Sequence, residues 1–127
     1  MTMKLHSDRI DSSNRITGYG LGYVAVNEVR IAGSVTVTPT QMLRDWAPAD
    51  FSDVSAACLR LLDELEFEVA LLGTGASQQF PADNLVAEFA SRGVGLEVMD
   101  TAAACRTYNI LMAEGRTVAA MLLPISD

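Results

Sequence analysis

The sequence is poor in the residues that most often announce chemistry. It holds one histidine, His6, two cysteines, Cys58 and Cys105, and one tryptophan, Trp46. A lone histidine in a polar amino-terminal segment supplies no nearby base for a Ser-His-Asp triad, and no nucleophile-elbow sequence accompanies it. His6 is therefore expected to be solvated, and no catalytic residue is assigned. The scattered cysteines give no ligand spacing for zinc, iron-sulfur or haem, so neither a metal nor a cofactor is expected. They read as free thiols in a reducing, cytoplasmic setting, because a chain of this size needs no disulfide to fold. Positive charge is scarce as well: nine Lys and Arg stand against sixteen Asp and Glu, a formal net charge of -7. That balance lacks the electrostatic footprint of a nucleic-acid binder. No apolar run approaches the ~20 residues that span a bilayer, so no membrane insertion is expected. The opening MTMKLHSDRIDSSNR has neither an apolar signal core nor an Arg-rich, acid-poor presequence.

What the chain does have is core-building material. Half of its 127 residues are hydrophobic, and a chain this long buries roughly two thirds of its extended surface. With no repeat, linker or low-complexity stretch, residues 1–127 read as one domain. From Arg15 to Pro39 the sequence is rich in β-branched residues and glycine, which predicts an amino-terminal β layer. Tyr23 to Val26 and Val29 to Ile31 flank Asn27-Glu28 as a hairpin would, although glutamate resists the positive φ of such a turn. Ser34 to Thr38 alternates, with Val35 and Val37 on one face and Ser34, Thr36 and Thr38 on the other.

The pattern then changes. Val54, Cys58, Leu61, Leu62 and Leu65 recur at helical spacing behind Ser52 and Asp53, predicting an amphipathic helix. Val69 to Leu72 is a short apolar strand, Leu85 to Ala90 a helix stopped by Gly93, and Val94 to Met99 a second strand. A right-handed crossover makes these two strands parallel in one sheet. A helix of about three turns runs from Thr101 to Gly115, and Val118 to Leu123 supplies the last strand. The acidic run Asp63, Glu64, Glu66 and Glu68 reads as a solvated helix end, with steering of basic partners as its other use.

Two places invite a functional reading. If the parallel strands are neighbours, the loop Gly73-Thr74-Gly75 and the helix start at Asp100-Thr101 share their carboxyl edge, where open α/β sheets bind ligands. Thr101 is expected to cap one amide, and Ala102 to Ala104 offer no glutamate to complete a capping box. Remaining first-turn amides would then attract a small anion. The loop lacks the third glycine of a dinucleotide fingerprint and the Gly-Lys-Ser/Thr of a P-loop. On the helical wheel Ala104, Cys105, Tyr108, Leu111 and Met112 share an apolar arc, while Arg106, Thr107, Asn109 and Glu114 lie toward the other side. Cys105 sits on that arc and reads as a buried small hydrophobe rather than a nucleophile. Trp46 is either a core plug or an interface anchor. Glu114 and Arg116, opposite charges at one helix end, read as an ion pair rather than an acid-base pair.

Asp100 to Arg116, DTAAACRTYNILMAEGR, resembles the Mth-type domain family, small proteins of unassigned biochemical activity. Thr101, Ala104, Arg106, Thr107, Tyr108, Asn109, Glu114 and Arg116 fall on its D-T-x-x-A-x-R-T-Y-N-x-L-x-x-E-G-R pattern. Gly73-Thr74-Gly75, Tyr19-Gly20 and Trp46 match as well, so the likeness covers nearly the whole chain. The resemblance implies an α/β, three-layer β+α/β/α fold with a central mixed sheet. It also implies relatives that act as a mitochondrial respiratory complex I assembly factor, and others linked to adipocyte differentiation. Two functions follow as expectations. One is a non-enzymatic adaptor or assembly factor that docks protein clients, with Trp46, Tyr108, Glu114 and Arg116 as contacts and a monomer or weak homodimer as its state. The other is a small-anion or metabolite-binding protein whose pocket takes Gly73, Thr74, Gly75, Asp100, Thr101, Arg106, Thr107 and Asn109.

Overall fold

The computed structural model describes residues 13–47, 51–59 and 62–126; the expectations for His6 and Leu61 lie outside these. Strands β1 (Ile16–Gly20), β2 (Tyr23–Val26) and β3 (Val29–Ala32) form an antiparallel meander. The β2–β3 turn is the expected two-residue one, with Asn27 at φ 52 and Glu28 at φ 72. The turn is held in this strained region by its neighbours: Thr17 Oγ1 accepts from the Glu28 N–H at 2.9 Å, and the Asn27 Oδ1 accepts from the Arg15 N–H at 2.9 Å.

The remaining strands are β4 (Val35–Val37), β5 (Met42–Arg44), β6 (Val69–Gly73), β7 (Gly95–Met99) and β8 (Val118–Leu122). They build a mixed five-stranded sheet in the order β5-β4-β8-β6-β7, with β6 parallel to both β7 and β8. The helices are α1 (Ala56–Leu59), α2 (Asp83–Ser91) and α3 (Thr101–Ala113). Two expectations need correction here. β4 does not belong to the amino-terminal layer; it pairs with β5 and β8 inside the larger sheet. Layers on both faces bury Ser34 through Thr38 completely, polar positions included, so its alternation does not mark a solvent face. The helix expected over Val54 to Leu65 is, among the described residues, only the four of α1. Leu62 and Leu65 follow in a tight turn, the Leu65 N–H donating to the Leu62 carbonyl at 3.0 Å. The Gln41 side chain engages this stretch through Glu64 and Glu66, and Leu62 is still buried.

The larger sheet is the middle layer. On one face Val35, Val37, Leu71, Val118, Ala120 and Leu122 pack against Ile16, Val24, Val26 and Ile31 of the meander and Ala104, Cys105 and Tyr108 of α3. On the other, Ala70, Leu72 and Met121 pack against Trp46, Leu62 and the α2 residues Leu85 and Phe89. Burial of apolar surface at roughly 25 cal/mol per Å² makes these two interfaces the dominant stabilising term. The three-layer β+α/β/α arrangement implied by the resemblance is the one observed.

Candidate functional site

β6 and β7 are neighbours, and Gly73 pairs with Met99 at their carboxyl edge. The Gly73–Gly75 loop therefore meets the start of α3 as expected, but the crevice between them is closed. Asp100, not Thr101, is the helix cap: its Oδ1 accepts from the Ala103 N–H at 2.8 Å. Thr101 is the first helical residue and is fully buried. Its hydroxyl accepts from the Gly75 N–H at 2.9 Å and donates to the Leu123 carbonyl at 2.7 Å. The Thr101 N–H donates to the Gly75 carbonyl at 2.9 Å and the Ala104 N–H to the Asp100 carbonyl at 3.0 Å. The Thr101 and Ala103 amides and the Thr101 hydroxyl are thus spent on the chain itself, which leaves fewer donors for an anion at this place. Glycine is needed for the approach: a Cβ on Gly73 would come within 3.0 Å of Thr101 Cα, and Gly75 has φ +100. Thr74 is also engaged, donating from Oγ1 to the Ser77 carbonyl at 2.7 Å and accepting there from the Gln79 N–H at 3.1 Å. The loop is a clasp that locks strand ends to a helix.

Farther along α3 the pocket residues part company. Thr107 turns to Met99, with Oγ1 at 3.6 Å from its sulfur. Asn109 turns to β1, taking both main-chain groups of Ile16. Arg106 also reaches β1, its Nη1 donating to the Tyr19 hydroxyl at 2.8 Å. Arg106 and Asn109, with Cys105 and residues 16–19, line a cavity of about 140 Å³. Cys105 is fully buried, and burial pushes its thiol up to about 12 against the opposing pull of Arg106. It stays neutral at physiological pH, in keeping with the core role read from its arc. Nothing in the local pattern of β1 pointed to this cavity. The one available signal was that Tyr19-Gly20 and Arg106 belong to the same family pattern.

Residues 16–123 match the family described as Protein of unknown function (DUF498/DUF598). This chain is a member of that family. It is 38% identical over 101 residues to NADH dehydrogenase (ubiquinone) 1 alpha subcomplex assembly factor 3 of Danio rerio, covering 78% of this chain and 58% of that protein. The chain thus spans less than two thirds of that relative's length. Among solved structures it is similar to a Bordetella parapertussis protein, with TM-score 0.82 and 42% identity over 89% of this chain and 97% of the other. A Bordetella pertussis protein described as an Mth938-like domain follows at TM-score 0.77 and 37% identity, covering 90% and 87%. The resemblance to the Mth-type family holds.

In this DUF498/DUF598 member the expected partner contacts are placed differently from one another. Trp46 is 1% exposed and Tyr108 0%, so neither offers a surface; both are corrected to core residues. The Tyr108 hydroxyl donates to the Asn14 carbonyl at 2.8 Å, and burial raises its phenol above the ordinary range. Glu114 and Arg116 remain exposed but are not paired with each other. Gly115, at φ 83, turns the chain away from the helix axis, and the Arg116 Nε meets Glu68 Oε1 at 3.0 Å. That hydrogen bond holds the Glu68 carboxyl below its usual range. A second cavity lies beside Leu62, Leu65, Phe67 and Val94, with Arg92 bridging Asp63 at 2.8 Å and Glu88 at 3.3 Å along it. Among the described residues no helix is long and apolar enough to cross a membrane.

Proposed function

We propose that this chain is a non-enzymatic adaptor or assembly factor that docks protein subunits, with assembly of a respiratory NADH dehydrogenase complex as its process. The observation that carries the reading is the 38% identity to a protein named as an assembly factor of that enzyme. The geometry is in keeping with it. The loop that would hold a ligand at the strand ends is filled by the chain's own hydrogen bonds, and the buried thiol of Cys105 is neutral. Surface for docking is available in exposed apolar side chains, Phe80 at 82%, Leu21 at 64% and Ile110 at 60%, of a kind that partners cover. We read the chain as one domain that works in the cytoplasm as a monomer or weak homodimer. Both core clusters lie on opposite faces of a single sheet, which supports the first part of that reading.

The test is deletion of the gene in its own organism, followed by native gels of membrane complexes. A fall in assembled NADH dehydrogenase and accumulation of partly assembled subcomplexes, reversed by the wild-type gene, is the expected result. Unchanged complex content with intact membrane-arm assembly would refute the respiratory reading.

A further inference from the structure

At the start of α3 the Thr101 and Ala103 amides donate within the chain, whereas another group of donors is uncommitted. In β1 the register shifts between Ile16, which pairs with Val26, and Gly18, which pairs with Ala25. Thr17 is the extra residue of a bulge, a device that re-aims neighbouring groups. Beside it lies the cavity of about 140 Å³ bounded by Ile16, Thr17, Gly18 and Tyr19 from β1 and by Cys105, Arg106 and Asn109 from α3. The exposed members, Thr17, Tyr19 and Arg106, stand at its mouth, and the buried ones, Ile16 and Cys105, form its apolar wall.

The donors exceed their acceptors. A guanidinium carries several N–H groups and no acceptor, and Arg106 places one of them on Tyr19. Among the described residues no carboxylate forms an ion pair with Arg106, in a chain with sixteen acidic residues. The Tyr19 oxygen accepts from Arg106 and so keeps its own O–H to give. Asn109 Nδ2 commits one hydrogen to the Ile16 carbonyl and retains the second. We propose that this cavity binds a short-chain carboxylate. The Arg106 fork and the Tyr19 hydroxyl hold its two oxygens, and its aliphatic end lies against Ile16 and Cys105.

Size and charge both narrow the ligand. A protein cavity of about 150 Å³ holds a benzene ring, so one of about 140 Å³ has room for an acid of roughly four to six heavy atoms. A single arginine matches a planar monoanion with parallel N–H···O bonds, whereas a phosphate dianion would bring two charges to one cation. The neutral thiol of Cys105 puts no opposing charge in the wall. This site is independent of the docking role and stands or falls separately from it.

The experiment is an amide-resolved NMR titration of the full chain with sodium acetate, propionate and hexanoate, with ionic strength held constant by chloride. Acetate and propionate are expected to give saturable shifts confined to residues 16–19 and 105–109. Hexanoate should bind more weakly. Arg106→Gln is expected to weaken binding about tenfold or more and Tyr19→Phe several-fold, the scale of a lost charge-assisted hydrogen bond. Both side chains are exposed, so the rest of the spectrum should be unchanged and binding is measured on folded protein. Shifts that stay linear and match those of chloride would overturn the proposal. So would saturation unaltered in Arg106→Gln, or hexanoate binding as tightly as propionate.

Discussion

Asn109 acts as a strand partner for Ile16 although 93 residues separate them. Its Oδ1 accepts from the Ile16 N–H at 3.0 Å and its Nδ2 donates to the Ile16 carbonyl at 2.7 Å. One side-chain amide thus closes the open edge of β1 and ties the meander to α3. Asn109→Ala leaves both main-chain groups without this partner and should destabilise the protein by about 2 kcal/mol. Asn109→Asp keeps the acceptor, loses the donor and sets a carboxylate against a carbonyl, so it should be no milder. Urea unfolding checks both, and faster hydrogen exchange at the Ile16 amide would place the effect at this contact.

Thr101 is the keystone of the clasp. Thr101→Val preserves shape while stranding the buried Gly75 N–H and Leu123 carbonyl, with an expected loss of about 2–3 kcal/mol. Thr101→Ser keeps the hydroxyl and deletes one methyl, at an expected ~1 kcal/mol. Denaturant midpoints at constant slope distinguish them. Equal losses in the two variants would mean that packing, not the hydrogen bonds, holds the helix start in place.

Cys105 couples stability to alkaline pH. Its thiol is raised from an ordinary 9.0 to about 12, chiefly by burial. Unfolding releases a thiol that ionises above 9.0, so the stabilising contribution is complete below that pH and is lost as pH rises toward 12. The expected slope is roughly 1.4 kcal/mol per pH unit in that window. Tyr108, also raised by burial, adds to the decline above its ordinary range. Cys105→Ala should flatten the first part of the curve, as read by unfolding at a series of pH values. In the native state at pH 8, a thiol reagent should label the half-buried Cys58 well before Cys105.

Trp46 plugs the cluster beside α2, and its Nε1 has no hydrogen-bond partner among the described residues. Trp46→Phe gives up ring area but also removes that unpaired N–H, so it should cost under about 1.5 kcal/mol. Trp46→Ala should cost about 3–5 kcal/mol, as a large cavity does. Because this is the only tryptophan, a blue-shifted emission insensitive to acrylamide in the native state reports the burial directly.

Local pattern was enough for much of this protein. The β2–β3 hairpin, the parallel pair β6 and β7, the helices after Asp83 and Asp100, the closing strand β8 and the buried state of Cys105 all follow from periodicity, turn residues and helix signals. These act over a few residues, and burial of apolar side chains rewards them wherever the chain is placed. Tertiary structure decided what pattern cannot reach. The polar and apolar positions of β4 became equally buried because covering layers came from distant parts of the chain. Asp100 took the cap that Thr101 was expected to fill, because Gly75, 26 residues earlier, claimed the Thr101 hydroxyl. Arg116 left Glu114 for Glu68 once Gly115 had turned the chain, and Arg106 and Asn109 met β1 beside them in the layer that the meander and α3 share. In each case the sequence supplied a group that must make a hydrogen bond or an ion pair. Which partner satisfied it depended on geometry that exists only after the layers have packed.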